Sequence, residues 1–382
     1  MILKTGIIGG GITGLTTALA LQKIGLQAVV FEQAEKLNEI GAGIWLQPNA
    51  VKILDWLGLK EQFKQQGVEL DKMEITNHRL QPFKQISQEV VKDEAGNQTI
   101  AIHRGRLQKA LYDEVIKHTE VKLNHAYHHH SVGPDGVKIQ FSDSENQVNI
   151  MLGADGIHSS IRQIMFPGSN LRNTGQVCWR GVAKLELPEE MQNIGRESWG
   201  NQIRFGFSRI SKNEVYWFAV AKVEHLSRSN DKGTQQYLLE TYQDFHPVVL
   251  DLITNTESST IHQAILQDLN RLPYWYNERV CLLGDAAHAT TPNMGQGACQ
   301  GIEDAYYISH LLYKYKNSPV DAFTAFQNQR CKKVDYIVNN SWRFGQMAHS
   351  SFGRVIMKMM MKITPEKVLK TQMNKLYAIE NL

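Results

Sequence analysis

Near the start of the chain, Gly9-Gly10-Gly11-Ile12-Thr13-Gly14 stands between two apolar runs and has the composition of a phosphate cradle. The spacing is GxGxxG, with Gly9, Gly11 and Gly14 at its fixed positions and Ile12 and Thr13 between the last two. That chemistry needs a tight turn, a backbone that approaches a pyrophosphate, and a helix N-terminus whose amides and dipole favour anionic oxygens. Eighteen residues past Gly14 comes Glu32, at the end of a second apolar run. A carboxylate there accepts hydrogen bonds from ribose hydroxyls and repels a 2′-phosphate, which favours the adenosine of FAD or NAD over NADP. The alternative is a glycine-rich turn without a ligand.

Other reactive residue types exclude chemistry. Cys178, Cys281, Cys299 and Cys331 are widely spaced, with no CxxC or CxxxxC pair. Reduced thiols are expected, not a disulfide framework, a zinc site or a redox dithiol. His128-His129-His130, with His125, is a run of metal-ligating residues. Adjacent side chains on a strand point to opposite faces, so these do not converge on one ion, and no metal is expected.

A phosphate loop needs a strand before it and a helix after it. Residues 2–8 read as a short buried strand, 12–24 as a helix with Leu15, Leu19 and Ile24 inward, and 27–31 as a second buried strand. This β-α-β unit closes in about thirty residues, as a dinucleotide-binding half-fold does. Asn49, after Pro48, is expected to cap a helix over 50–57 that stops at Gly58. A further helix runs from Arg104 to about 118, with Leu107, Leu111 and Val115 inward. From 175 to 223 the pattern changes to strands, in GQVCWRGVAKLEL, NQIRFGFSRI and EVYWFAVAKV. Helices return after Lys232, and a third apolar strand at 279–283 feeds a helix over 296–315. From Ala322 the pattern is helical, with breaks near Gly345, Gly353 and Pro365.

The 382 residues are 42% hydrophobic and 21% charged, an ordinary balance for a globular protein of one large or two joined domains. No signal peptide is expected at the N-terminus. The longest apolar run, 215–223, is about half a bilayer crossing and contains Lys222. A soluble, cytoplasmic protein without integral membrane association is expected. The net charge of +3 supplies no argument for nucleic acid or an anionic membrane as partner.

Three later motifs carry a resemblance to a known family. Gly153-Ala154-Asp155-Gly156-Ile157-His158-Ser159-Ser160-Ile161-Arg162 resembles the GADGxxSxVR motif of single-component flavin monooxygenases. Residues 279–288, with Gly284-Asp285, are similar to their second FAD motif, and 291–299 resembles their PxxGQG loop. The motifs keep the family's order and spacing, and the resemblance covers essentially the whole chain. The nearest group contains FAD-dependent urate hydroxylase, salicylate hydroxylase and zeaxanthin epoxidase; Gly41-Ala42-Gly43-Ile44 and Pro48-Asn49 match it too.

The resemblance implies an α/β fold with a Rossmann-like FAD-binding domain of the para-hydroxybenzoate hydroxylase type, an inserted sheet-based substrate domain and a C-terminal helical tail. The expected FAD domain is discontinuous, over 1–70, 100–174 and 272–330. The substrate domain takes 71–99 and 175–271, and the tail 331–382. By the same resemblance Arg104, Asp155 and Gly156 contact FAD, and Gly284-Asp285 holds the ribityl chain. Backbone amides around Pro292, Gly295, Gln296, Gly297 and Ala298 face the pyrimidine edge of the flavin, where they stabilise negative charge.

In the strand-rich insert, alternation puts Arg204 and Gly206 on one face and Phe205 and Phe207 on the other, with Tyr216 and Phe218 opposite Trp217. Arg204 and Tyr216 align with polar pocket residues of the urate hydroxylase branch; an arginine there can bind an anionic or carbonyl-bearing ring, and a tyrosine can orient it or deliver a proton. The alternative is a surface arginine and a sheet-packing tyrosine. Asn293 stands where the urate branch carries aspartate, as in the epoxidase branch; an amide orients a carbonyl but cannot act as general base. His288 is expected to pack at a helix start, with proton transfer near the flavin as the alternative, and Arg180 to lie solvated at a sheet edge, with a reach into the pocket as the alternative. The Met-rich tail over 353–377 is expected to pack across the back of both domains, with a membrane or partner helix as the alternative.

The family chemistry is oxygenation: NAD(P)H, a transient visitor, reduces FAD, O2 adds at flavin carbon 4a, and the hydroperoxide hydroxylates or epoxidises a small planar aromatic or heterocyclic substrate. No second GxGxxG marks a nicotinamide domain, and the choice between NADH and NADPH stays open. Alternatives are a halogenase or other flavin oxidoreductase on the same scaffold, though the WxWxIP motif of such halogenases is absent, and a flavin-bound sensor without turnover. The partners are the small molecule and O2, and the chain is a monomer or homodimer.

Overall fold

The computed structural model describes residues 3–37, 41–86 and 88–380. β1 (Lys4–Ile8), α1 (Ile12–Lys23) and β2 (Gln27–Phe31) form the β-α-β unit, with Ile7, Leu15, Val30 and Phe31 wholly buried. Ile2, part of the strand expected from sequence, lies outside the described residues. β1 is central in a six-stranded sheet, flanked by β2 and by Ile150–Gly153, which in turn pairs with Val280–Leu282. These pairs are parallel, so their strand ends and the turns after them open on one edge, where ligands of such sheets bind. β3 (Gly43–Leu46) belongs to a small separate sheet with Thr99–His103 and Val68–Leu70.

α2 (Pro48–Trp56) starts earlier than the sequence suggested. Pro48 occupies the first helical position, where its missing N–H costs nothing, and Gln47 precedes the helix. Asn49 is therefore inside α2 and wholly buried, not its cap. The helix over Arg104–Val115 buries Leu107, Leu111 and Val115.

A seven-stranded sheet carries the other half of the molecule. Its order is His262–Leu269, Leu171–Lys184, Glu214–Lys222, Arg204–Ser211, Ile194–Trp199, Lys72–Asn77, Pro82–Ile86. Phe205, Phe207, Trp179 and Trp217 turn to one face and pack on Leu238, Tyr242, Leu252 and Ile253 of two helices. Phe205 stacks on Trp217 at 5.4 Å between ring centroids. Each such buried side chain contributes about 1.5–3 kcal/mol. Arg204, Gly206, Tyr216 and Phe218 share the opposite face, and the expected alternation holds. Helices return at His225, earlier than Lys232.

The long helix Pro319–His349 packs on Gly297–Lys314 and reaches the seven-stranded sheet. Gln176 donates to the carbonyl of Gly345 at 3.0 Å, and the Arg172 guanidinium lies 4.3 Å from the Trp342 ring. Gly345 does not break this helix. A Cβ there would stand 2.5 Å from Asn293 Nδ2, so the glycine marks a close approach. Gly353 likewise lies inside the helix Ser351–Ile363, and the breaks fall at Ser350 and at Thr364-Pro365. Among the described residues no helix is long and apolar enough to cross a membrane.

Candidate active site

The first glycine loop is built for a close approach from outside. A Cβ on Gly14 would stand 1.9 Å from the Gly9 carbonyl oxygen, and one on Gly9, at φ +110°, would stand 2.4 Å from that of Ala154. At Gly11 an added Cβ would meet nothing within 4 Å. Two glycines thus close the turn and the third presents bare backbone outward. The N-terminus of α1 has no side-chain cap, so Ile12 and Thr13 begin a helix whose first amides stay available. Glu32 is half-buried beneath the loop, and its carboxylate accepts from the amides of Gly10 at 2.6 Å and Ala34 at 2.9 Å.

Two acidic turns face this loop. Asp155 follows the strand Ile150–Gly153. Its Oδ2 accepts from the Ile161 amide at 3.2 Å, while Oδ1 is buried without a partner among the described residues. Burial raises the Asp155 carboxyl, against hydrogen bonds from Ser159 and backbone amides. Gly156 follows at φ +79°. Asp285 opens the short helix Asp285–His288 after Gly284, whose Cβ position is 2.6 Å from Thr13 Oγ1. Asp285 is exposed, with protein packed around its carboxylate. That desolvation raises it, opposed by His288, Arg104 and Arg162. Arg104 opens its helix with its amide on the Ala42 carbonyl at 2.9 Å. Arg162, within electrostatic range of both Asp155 and Asp285, donates to the carbonyls of Ile157 and Ala286.

The third element is the 292–298 loop. Pro292–Met294 makes a single helical turn, Gly295 adopts the left-handed conformation at φ +63°, and Gly297–Lys314 follows as an eighteen-residue helix without a side-chain cap. The Cβ position of Gly297 is 3.9 Å from Asp285 Oδ1, so the loop and the second acidic turn are neighbours. Gln296 is wholly buried. It donates to Gln47 Oε1 at 2.5 Å and accepts from Asn49 Nδ2 at 3.0 Å and Gln300 Nε2 at 2.7 Å. Ala298, half-buried, continues the first turn of the helix.

Sequence reasoning missed what anchors Gln296. Asn49 also donates to Glu303 at 2.6 Å, and Glu303 pairs with Arg330 and with Lys333 at 2.7 Å. Asp304 pairs with Arg330 at 2.8 Å and His288 at 2.6 Å. Burial acts to raise Asp304, but His288 and Arg330 hold it below the usual carboxylate range. His288 thus closes a buried network and packs on Trp275, with ring centroids 4.9 Å apart. The readable signal was two adjacent carboxylates in an otherwise apolar helical stretch.

On the face of the seven-stranded sheet turned toward this loop, Arg204 is 2% exposed. It donates to Glu197 at 2.9 Å and to Asn293 Oδ1 at 2.7 Å. Asn293 in turn donates to Thr291 Oγ1 and the Ser341 carbonyl, both at 3.0 Å. Tyr216 lies two rungs further along the same face, packed with Ala42, Phe218 and Trp45. Burial pushes its phenol well above its ordinary range, with Cys178 adding and Arg180 opposing. Arg180 is not a solvated edge residue. Its strand has neighbours on both sides, and its guanidinium, half-buried, faces Cys178 and Tyr216. The structure joins Arg204 to Asn293 directly and gives Tyr216 Arg180 as its charged neighbour.

Of the histidines, His130 contacts the Tyr127 hydroxyl at 2.6 Å and His128 contacts Ser142 at 3.1 Å. Bare backbone at Gly11, a buried carboxylate oxygen without a partner at Asp155, and an uncapped helix at Gly297 together fit an elongated dinucleotide with anionic and hydroxyl groups.

Residues 3–332 match the model of the family described as FAD binding domain. The chain is 34% identical over 350 residues to the aurachin C monooxygenase/isomerase of Stigmatella aurantiaca, covering 90% of each protein. It is 31% identical over 347 residues to the 2-heptyl-3-hydroxy-4(1H)-quinolone synthase of Pseudomonas aeruginosa, covering 89% of this chain and 88% of that one. Its fold is similar to that of Klebsiella pneumoniae HpxO complexed with FAD and uric acid, with a TM-score of 0.87 at 24% identity over 98% of this chain and 96% of that chain.

Proposed function

The chain belongs to the FAD-binding-domain family of single-component FAD-dependent monooxygenases, and from that premise we propose that it hydroxylates a planar heterocycle of the 4-quinolone type with NAD(P)H and O2. Binding FAD and oxygenating aromatic or heterocyclic molecules are the family's properties; the electron donor, the substrate class and the residue roles are the proposal. The observation that carries it is the sheet face of Arg180, Arg204, Tyr216 and Phe218, joined through Arg204 to Asn293 in the 292–298 loop. A planar ring lying between that face and the loop is held by aromatic surface and by cationic or phenolic donors. The quinolone class follows from the Pseudomonas relative, whose name gives a 3-hydroxylated 4-quinolone as product.

Bound FAD supplies activation of O2 and delivery of one oxygen atom, with the second leaving as water at the expense of NAD(P)H. The chain's residues bind and orient. Gly9, Gly11 and Gly14 with Ile12 and Thr13 receive the pyrophosphate, Glu32 the adenosine ribose, and Arg104, Asp155, Gly156, Gly284 and Asp285 the remaining polar groups. Pro292 and Gly295 shape the turn. Gln296, Gly297 and Ala298 aim the helix N-terminus at the flavin ring, where its dipole stabilises negative charge. Tyr216 stays protonated and donates to a substrate oxygen, and Arg180 beside it stays charged. Asn293, an amide, orients Arg204 and takes no proton.

The test is NAD(P)H oxidation and O2 uptake by the FAD-loaded protein, with 2-alkyl-4(1H)-quinolones set against purines and phenols. Acceleration of both by a quinolone, with a product one oxygen heavier, supports the reading. Acceleration only by another ring class keeps the monooxygenase and removes the quinolone.

A further inference from the structure

We propose that the helix Ser351–Ile363 is a docking surface for an anionic lipid bilayer, held at the interface without crossing it. The expected packing of this segment across the domains holds for only one of its faces. Gly353 and Met357 are buried against the body of the protein. Phe352 is 76% exposed, Val355 64%, Met359 59%, Met360 53% and Ile363 68%. At about 100° per residue these five fall on one side of the helix, a continuous apolar face on the outer surface.

At about 100° per residue Lys358 and Lys362 stand next to that face on the same helix, and the segment that follows is basic too. Within 351–377 there are six, Arg354, Lys358, Lys362, Lys367, Lys370 and Lys375, against the single acid Glu366. The whole chain carries only +3, so the rest of the molecule is net negative and the positive charge is concentrated here. The contacts described for Arg354, Lys358 and Lys370 are to carbonyl oxygens, an amide oxygen and a ring, none of them a carboxylate. Arg354 donates to the Gly200 carbonyl and to Asn201 Oδ1, Lys358 lies over the Phe83 ring at 4.5 Å, and Lys370 donates to the carbonyls of Glu89 and Lys92. An apolar face bordered by lysines matches the acyl boundary and phosphate layer of an anionic membrane. A second copy on a twofold axis would bring like-charged borders together, which the charge pattern disfavours.

The test is co-sedimentation of the full-length, FAD-loaded protein with vesicles of phosphatidylglycerol and phosphatidylethanolamine, compared with phosphatidylcholine alone. Binding to the anionic vesicles is expected, falling at least about tenfold in about 0.5 M salt. Phe352→Ser combined with Ile363→Ser is expected to abolish it while flavin absorbance and thermal midpoint stay unchanged. Lys358→Glu with Lys362→Glu, which leaves the apolar face intact, is expected to abolish it too, and decides the matter if the serine variant loses its fold. Equal sedimentation with both vesicle types overturns the proposal. So does a protein that ignores vesicles but forms a dimer dissociated by the serine pair, because the face then belongs to a second copy.

Discussion

Arg204 donates from Nη2 to Asn293 Oδ1 at 2.7 Å, and this side-chain hydrogen bond joins the seven-stranded sheet to the loop before the helix Gly297–Lys314. The same guanidinium is neutralised by Glu197. Arg204→Ala therefore leaves Glu197 with the Trp199 indole N–H and no cation, and takes from Asn293 Oδ1 its guanidinium donor, a loss of about 3 kcal/mol. The expected outcome is a lower denaturant midpoint and a substrate response weakened at least about tenfold, with FAD still bound. A double-mutant cycle with Asn293→Ala should return a coupling of about 1–3 kcal/mol. A coupling near zero would show that the bond does not link the two elements.

Gly11 and Gly14 belong to the same motif and should fail differently. At Gly14 a methyl group meets the Gly9 carbonyl at 1.9 Å, so Gly14→Ala cannot form the turn and should give little folded protein. At Gly11, where φ is −76°, alanine is unstrained and meets nothing. Gly11→Ala should fold with an apoprotein melting point within about 2 °C of the parent, because no mechanism of destabilisation operates there. Its FAD affinity should nonetheless fall, since the methyl occupies the side a pyrophosphate approaches. Unchanged FAD affinity in that variant would place the phosphates elsewhere.

The difference between these glycines also shows what sequence could and could not reveal. Strand, loop and helix around the motif were legible because they depend on neighbours a few positions away, and β2 falls on the residues expected. The faces of Arg204, Phe205, Tyr216 and Trp217 were legible because strand alternation is rigid. Asn49 was misread as a cap because its partners, Gln296 and Glu303, lie 247 and 254 positions along the chain. Gly345 was misread as a break because the reason for it, Asn293, sits on another element. Arg180 was misread as an edge residue because no local pattern tells a central strand from an outer one. Local rules fail where a side chain is chosen for a distant partner.

The buried network around Arg330 is such a case, and it supports the loop at a distance. Arg330 is 1% exposed and compensates both Glu303 and Asp304, while Lys333, at 18%, shares Glu303 from nearer the surface. Arg330→Met takes a cationic partner from both buried carboxylates, leaving Asp304 to His288 and the Gly284 amide and Glu303 to Lys333 and Asn49, so a loss of about 3–5 kcal/mol is expected. Lys333→Met leaves Arg330 in place and should cost clearly less. Because Glu303 holds Asn49 and Asn49 holds Gln296, Arg330→Met should also weaken FAD binding more than Lys333→Met does. Urea titrations of both variants, with and without added FAD, measure this, and equal losses would contradict the hierarchy.

His349 should make the fold acid-sensitive. It ends the helix Pro319–His349 at 8% exposure, and neither ring nitrogen has a hydrogen-bond partner among the described residues. Burial first, then the positive charges of Arg204, Lys222, Arg354 and His225, lower its pKa from 6.5 to about 3. The native ring is therefore neutral down to about pH 3, whereas in the unfolded chain it takes up a proton below about 6.5. The unfolded state binds more protons in that window, so stability falls as pH drops through it and is unaffected above it. At about 1.4 kcal/mol per pKa unit the full effect is a few kcal/mol. His225, also lowered by burial, acts in the same direction, while the raised carboxyls of Asp155 and Asp285 act against it. His349→Leu should therefore flatten the acid limb without removing it. The thermal midpoint of the variant minus that of the parent should rise steadily as pH falls from about 7 to about 4. A difference that stays constant over that range would mean that His349 is protonated in the native state.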